Sequence, residues 1–291
     1  MNRKSLPPPG LYRIWVVLPA CIRRLRASGA SKRHTSSSLR AVLALLACGL
    51  GLPALADVAD TVERVKPGVV GVGTFMPTGR PPANLMGTGF AVLDGHYVVS
   101  CAHVFSKPLD SEKREMYAVF VGRGRQQISV RAAELVASDK VRDLALLKIA
   151  GDPLPPLKLG DSDQVREGWQ LYFTGYPIGS ILGLNPSTHR AGLAAIIPVF
   201  TPVAAAAQLN AHAIRQAATP YEVFELDAVA YPGNSGSPVW HPDTGDVLGV
   251  VNSVYVKGTR EAALTAPSGI SYAIPAKYVQ RLIEQALPHA P

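Results

Sequence analysis

Tyr231-Pro232-Gly233-Asn234-Ser235-Gly236-Ser237-Pro238-Val239-Trp240 reads as a tight turn that feeds a short apolar strand. A serine set among glycines has an exposed hydroxyl, and its backbone is free to take conformations that other residues resist. Such a turn can aim the amides of Gly233 and Ser235 at one point, as an oxyanion hole requires. A glycine-rich turn is also, quite often, only a turn, so the rest of the chain has to decide. Working outward, residues 57–291 consist mostly of short apolar or alternating runs broken by Gly, Pro, Asp and Asn, the pattern of an all-β chain.

The first half predicts strands at Val69–Phe75, Gly89–Leu93, Tyr97–Ser100, Tyr117–Val121, Ser129–Val136 and Ala145–Ile149. A linker is expected over Asp152–Asp163, which holds Pro153, Pro155, Pro156 and Gly160 with little periodicity. A second group follows at Gln170–Gly175, Ala191–Ile197, Val223–Ala228, Pro238–Trp240, Val247–Val254 and Ser271–Ile274. Six strands and six strands suit two closed antiparallel β-barrels, which leave no sheet edge exposed. The expected division is a first barrel over 57–155, a second over 160–275 and a C-terminal helix over 276–287. In that helix Tyr278, Val279, Leu282, Ile283, Ala286 and Leu287 share a face that would dock on a barrel. Val58, Val62 and Val65 give a short helix before Pro67, and the Ala-rich stretch 204–218 could form another.

The formal charge of +8 does not mark a nucleic-acid binder. Nine Lys or Arg and no Asp or Glu fall in residues 1–56, which leaves 20 basic against 21 acidic residues in the remainder. The body therefore lacks the basic footprint that nucleic acid demands. Residues 1–56 read as an export leader: Lys32, Arg33 and Arg40 precede an apolar run over 41–55 that ends in Ala54-Leu55-Ala56, a signal-peptidase pattern. The run falls short of the roughly 20 residues of a membrane-spanning helix, so no stable span is expected after cleavage. An uncleaved N-terminal anchor, or a lipid on Cys48 in Leu45-Leu46-Ala47-Cys48, are the less favoured alternatives. Cleavage would leave Cys101 as the single cysteine, with no disulfide and no Cys/His cluster at metal spacing.

Two further stretches bear on chemistry. Tyr97-Val98-Val99-Ser100-Cys101-Ala102-His103-Val104-Phe105 sets His103 just past an apolar strand, and in Asp139-Lys140-Val141-Arg142-Asp143-Leu144-Ala145-Leu146-Leu147 an acid, Asp143, directly precedes another. Each has a plain alternative, a satisfied histidine and a turn acid. Cys101 is expected to be a small buried residue, and Asp227, which could also belong to the site, is expected to hold a loop by hydrogen bonds.

These stretches, together with Gly87-Thr88-Gly89-Phe90, Gly175-Tyr176-Pro177-Ile178-Gly179, Asp227-Ala228 and Tyr272-Ala273-Ile274-Pro275, occur in an order that resembles the trypsin-like serine peptidases, specifically the bacterial HtrA (Deg) branch. The likeness runs over residues 65–285. It implies Ser235 as nucleophile, His103 as general base, Asp143 as the residue that orients the imidazole, and the Gly233 and Ser235 amides as the oxyanion hole. It implies no cofactor and no metal, and proteins or peptides as substrates. Asn234 stands where digestive relatives carry an acid, so activation by a new N-terminus is not expected. Val229 stands where trypsin has its acidic specificity residue, which implies an apolar pocket for small or medium aliphatic side chains. The PDZ domain usual in the branch is not expected in this chain. A serine endopeptidase acting outside the cytoplasm is thus the leading expectation, ahead of an idle scaffold that binds without turnover and of an esterase. The esterase is disfavoured because the turn reads Gly-x-Ser-Gly before a strand, unlike the Gly-x-Ser-x-Gly elbow that enters a helix.

Overall fold

The computed structural model describes residues 57–123, 127–178, 185–199, 220–252 and 269–288. Residues 1–56, expected to be an export leader, the Ala-rich stretch 204–218 with most of the connection around it, and the last two residues of the expected strand Val247–Val254 lie outside the described residues. Helix α1 (Val58–Val65) opens the described chain, its Asp57 cap accepting from the Ala59 amide at 3.1 Å. It stops where Pro67 enters a 3-10 turn, and buries Thr61 and Val65.

Six strands then close on themselves: β1 (Val69–Phe75), β2 (Ala83–Val92), β3 (Tyr97–Ser100), β4 (Met116–Arg123), β5 (Gln127–Asp139) and β6 (Leu144–Ile149), ordered β1-β2-β3-β6-β5-β4. Closure is made by β1, which pairs antiparallel with β2 on one side and β4 on the other. Six more repeat the plan: β7 (Gln170–Gly175), β8 (Ser187–Pro198), β9 (Glu222–Asp227), β10 (Pro238–Trp240), β11 (Val247–Asn252) and β12 (Ile270–Pro275), ordered β10-β11-β12-β9-β8-β7. The expected pair of six-stranded barrels is what the chain forms. Every expected strand is present, and several are longer. β2 begins at Ala83 because Gly73, Thr74 and Phe75 of β1 supply backbone partners to a stretch whose side chains do not alternate. β8 begins at Ser187, where polar Ser187, Thr188 and Arg190 pair along β7 without any apolar signal. Among the described residues, no helix is long and apolar enough to cross a membrane.

Phe90, Val99, Val119, Leu144 and Leu146 fill the first barrel, and Leu171, Phe173, Leu193, Phe224 and Val251 the second. The first core continues without a break into Tyr176, Trp240, Val250 and Ile274, so the barrels share one dry seam. Helix α2 (Ala276–Ala286) follows β12 and buries Tyr278, Val279, Leu282 and Ile283, as its apolar face requires. It packs on β11 and β12 and also on β5 and β6, and so bridges the barrels from behind.

Tyr176 ties the seam together, its hydroxyl donating to the Val69 carbonyl at 3.1 Å. Burial pushes its phenol up to about 12 from 10.0. Below pH 10 the phenol is neutral whether the chain is folded or not. Above it the unfolded chain ionises first, so stability is lost as pH rises from 10 towards about 12. The loss should be on the order of 2–3 kcal/mol. Urea midpoints measured between pH 9 and 11.5 should therefore fall more steeply for the wild type than for Tyr176→Phe; equal slopes would mean that the buried phenol does not drive the loss.

Candidate active site

Asp143 closes a turn rather than a strand. Asp139 begins that turn, its Oδ1 accepting the amides of Val141 (2.9 Å) and Arg142 (3.0 Å), and the chain then passes through Asp143 at φ +57°. Aspartate tolerates this left-handed conformation better than most residues. Its backbone carbonyl accepts the Ala102 amide at 3.1 Å, and Oδ1 accepts the His103 amide at 2.7 Å. Oδ2 lies 2.6 Å from His103 Nδ1 and also accepts Asn252 Nδ2 at 2.9 Å. A carboxylate only accepts, so Nδ1 carries the imidazole proton and a neutral His103 keeps its lone pair on Nε2. The histidine is carried by the 3-10 turn Ala102–Phe105 that follows β3, and about a third of its side chain is exposed.

The Ser235 turn lies at the seam, and Ser235 is buried there at 5% exposure, where its flanking glycines suggested an open hydroxyl. Thr88 of β2, fully buried, organises the encounter: its hydroxyl donates to the Gly233 carbonyl (2.7 Å) and accepts from the Tyr176 amide (3.0 Å). Its amide donates to the Ser235 carbonyl at 2.9 Å, and its carbonyl accepts Ser100 Oγ at 2.6 Å. On the other side the Val251 carbonyl accepts both the Gly236 amide (2.8 Å) and the Cys101 thiol (3.3 Å). The neighbour of Ser235 and a residue two before His103 thus share one acceptor, and the next residue, Asn252, is the one that holds Asp143. An added Cβ on Gly87 would lie 3.0 Å from both the Ser235 carbonyl and a Val104 methyl, so Gly87 is bordered by the serine turn and by the turn that carries His103.

Gly233 has φ +99°, and a side chain there would run into the Tyr176 carbonyl. The amides of Asn234, Gly236 and Ser237 are spent on backbone carbonyls; those of Gly233 and Ser235 have no acceptor among the described residues. The Pro232 carbonyl accepts the Ile178 amide at 2.7 Å. In a trans peptide the C=O and the following N–H point opposite ways, so this bond turns the Gly233 N–H away from Ile178. Ile178 itself sits at φ +47°, costly for a β-branched residue, which these contacts must hold in place.

Val229 lies half-buried in the loop after β9. That loop is pinned by Ser271, whose Oγ accepts the Ala230 amide (2.8 Å) and donates to the Ala228 carbonyl (2.7 Å). Asp227, expected to do this, is instead exposed at the end of β9. Cys101 is fully buried, as expected, and burial beside the Asp143 charge pushes its thiol pKa well up. Cys101, His103 and Asp143 present ligand atoms within 4.8 Å of one another. Two of these atoms, Nδ1 and Oδ2, are already engaged with each other in a direct hydrogen bond. The roles of Thr88, Asn252, Ser271 and Ile178 were not visible in the sequence. Asn252 had a signal, as the polar end of the otherwise apolar Val247–Val251 run.

Residues 87–250 match the trypsin-like peptidase domain family. The chain belongs to that family. Its place is in the HtrA branch. It is 30% identical over 215 residues to a probable periplasmic serine endoprotease DegP-like of Marinomonas sp., covering 73% of this chain and 38% of that protein. It is 28% identical over 241 residues to the serine protease Do-like HtrB of Bacillus subtilis, covering 79% and 47%. Its fold is similar to the HtrA-type protease AlgW with decapeptide, with a TM-score of 0.58, 22% identity and coverage of 81% and 69%. The chain spans between about a third and a half of the length of the curated relatives it matches.

Because Thr88 satisfies two buried backbone groups with one hydroxyl, Thr88→Val should cost about 2–5 kcal/mol in urea unfolding, and Thr88→Ser should restore most of it. A Thr88→Val protein as stable as the wild type would show that the hydroxyl does not hold the seam.

Proposed function

We propose that this HtrA-branch protein is a serine endopeptidase with Ser235 as nucleophile, His103 as general base and Asp143 as orienter. The observation that carries the reading is the doubly bound Asp143 carboxylate, whose 2.6 Å contact with His103 Nδ1 leaves Nε2 basic. In the mechanism, Nε2 takes the proton of the Ser235 hydroxyl as the oxygen attacks a peptide carbonyl, then returns it to the leaving amine. Asp143 keeps the tautomer and stabilises the imidazolium. The Gly233 and Ser235 amides receive the oxyanion, at roughly 3–4 kcal/mol per donor. A water then hydrolyses the acyl-enzyme with His103 again as base. The reading needs neither metal nor cofactor.

The leader over residues 1–56 and the names of the periplasmic relatives support export, with residues 57–291 as the working domain. Protein or peptide substrates follow from the same comparison, and Val229 supports a pocket for small or medium aliphatic side chains.

Residues 57–291 should react with a fluorophosphonate probe, and neither Ser235→Ala nor His103→Ala should. Asp143→Asn, which favours the wrong tautomer, should lower turnover by roughly 10⁴-fold. Labelling that survives Ser235→Ala, or a folded wild type that never labels, would overturn the proposal. In a peptide library the residue before the cut should be Val, Ala or a similar aliphatic; a preference for Arg or Lys would remove Val229 from the pocket.

A further inference from the structure

Arg142 immediately precedes Asp143, and its guanidinium does not face solvent. Nη1 is 2.7 Å from Asp139 Oδ2, and both side chains are about four-fifths buried. The guanidinium carbon lies 4.8 Å from the centre of the Tyr278 ring and 5.7 Å from that of Tyr221. The two rings meet edge to face at 5.8 Å, and Tyr221 donates to the Val141 carbonyl at 3.1 Å. The Tyr278 hydroxyl in turn accepts the Glu222 amide at 3.2 Å. Lys277 and Arg281 also approach the Tyr278 ring, but Lys277 is engaged by Asp163 and Glu222, and Arg281 lies on the exposed side of α2. One guanidinium is therefore held by a carboxylate of its own turn, a tyrosine that leads into β9 and a tyrosine of the C-terminal helix.

The backbone next to this cation is the one held at φ +57°, and the carboxylate it carries makes two hydrogen bonds to His103, one to the amide and one to the imidazole. We infer that Arg142 is a positioning residue for Asp143, and that Tyr278 makes the C-terminal helix a support of the His103–Asp143 bond. Nothing in the chemistry requires Arg142 to touch substrate. It acts by fixing the turn: without it, the Asp139 carboxylate loses its cation, the Tyr221 and Tyr278 rings lose the guanidinium between them, and Asp143 is free to relax out of the left-handed region. The inference rests on the serine peptidase reading, yet the contact it concerns can be observed without turnover.

The test uses residues 57–291 carrying Arg142→Ala, Arg142→Lys, Tyr278→Leu or Tyr278→Phe, with peptide kinetics and the low-field proton resonance of His103 Nδ1–H. Arg142→Ala should lower kcat by about 10- to 100-fold, the scale of a small misplacement of a reacting group, and leave KM within about twofold. The resonance should broaden or move. Arg142→Lys, which keeps the ion pair and the cation over the ring, should recover part of both. Tyr278→Phe should retain most of what Tyr278→Leu loses, since both lack the hydroxyl and only one lacks the ring. Should Arg142→Ala fail to fold, the comparison of Leu with Phe at 278 decides. The proposal falls if Arg142→Ala and Tyr278→Leu lower only the unfolding midpoint and leave kcat and the resonance as in the wild type. A wild type without turnover would defeat the peptidase reading instead, and the resonance alone would then judge Arg142.

Discussion

The Thr88 hydroxyl donates to the Gly233 carbonyl and accepts from the Tyr176 amide, while the amide and carbonyl of the same residue bind Ser235 and Ser100. Four backbone or side-chain groups from both barrels converge on one buried residue. The serine turn belongs to the second barrel, the histidine and aspartate turns to the first, and nothing in either barrel alone fixes the distance between them. What fixes it is a short set of buried bonds at the seam, in which Thr88 on one side and Val251 on the other grip the serine turn while Asn252 reaches to Asp143. In a dry interior each of these bonds is expensive to leave unmade, so the seam tolerates few alternative arrangements.

Some of the backbone strain lies around that set of bonds, although Leu93 and Arg114, also at positive φ, sit in turns elsewhere. Asp143 at φ +57°, Ile178 at φ +47° and Gly233 at φ +99° lie on three different loops, and each is gripped by hydrogen bonds reaching from another element. Such conformations cost on the order of 1–3 kcal/mol for residues with a side chain and persist only where the surroundings over-determine them. The barrels provide the rigidity that holds these loops in place.

The twelve strands were legible because closed barrels impose alternation or full burial along each strand, and both leave a pattern in one dimension. The turn residues were legible for a similar reason: glycines around Ser235 and a polar residue at a strand end are local signals. The starts of β2 and β8 were not, since backbone pairing alone extends those strands and their side chains carry no periodic message. Thr88 and Asn252 escaped notice because their partners Gly233 and Asp143 lie 145 and 109 residues away. Asp227 misled for the converse reason, an acid beside a loop that a serine from β12 actually secures.

Closure of the barrels has a consequence for the company this protein keeps. Each of the twelve described strands has a neighbour on both sides, so the barrel walls offer an extended polypeptide no ladder to join. Unpaired backbone donors are found at the ends of strands and in the turns beyond them, and Gly233 and Ser235 are among these. Among the described residues, the walls that discourage strand-upon-strand aggregation therefore leave the unpaired amides of Gly233 and Ser235 in the turn before β10.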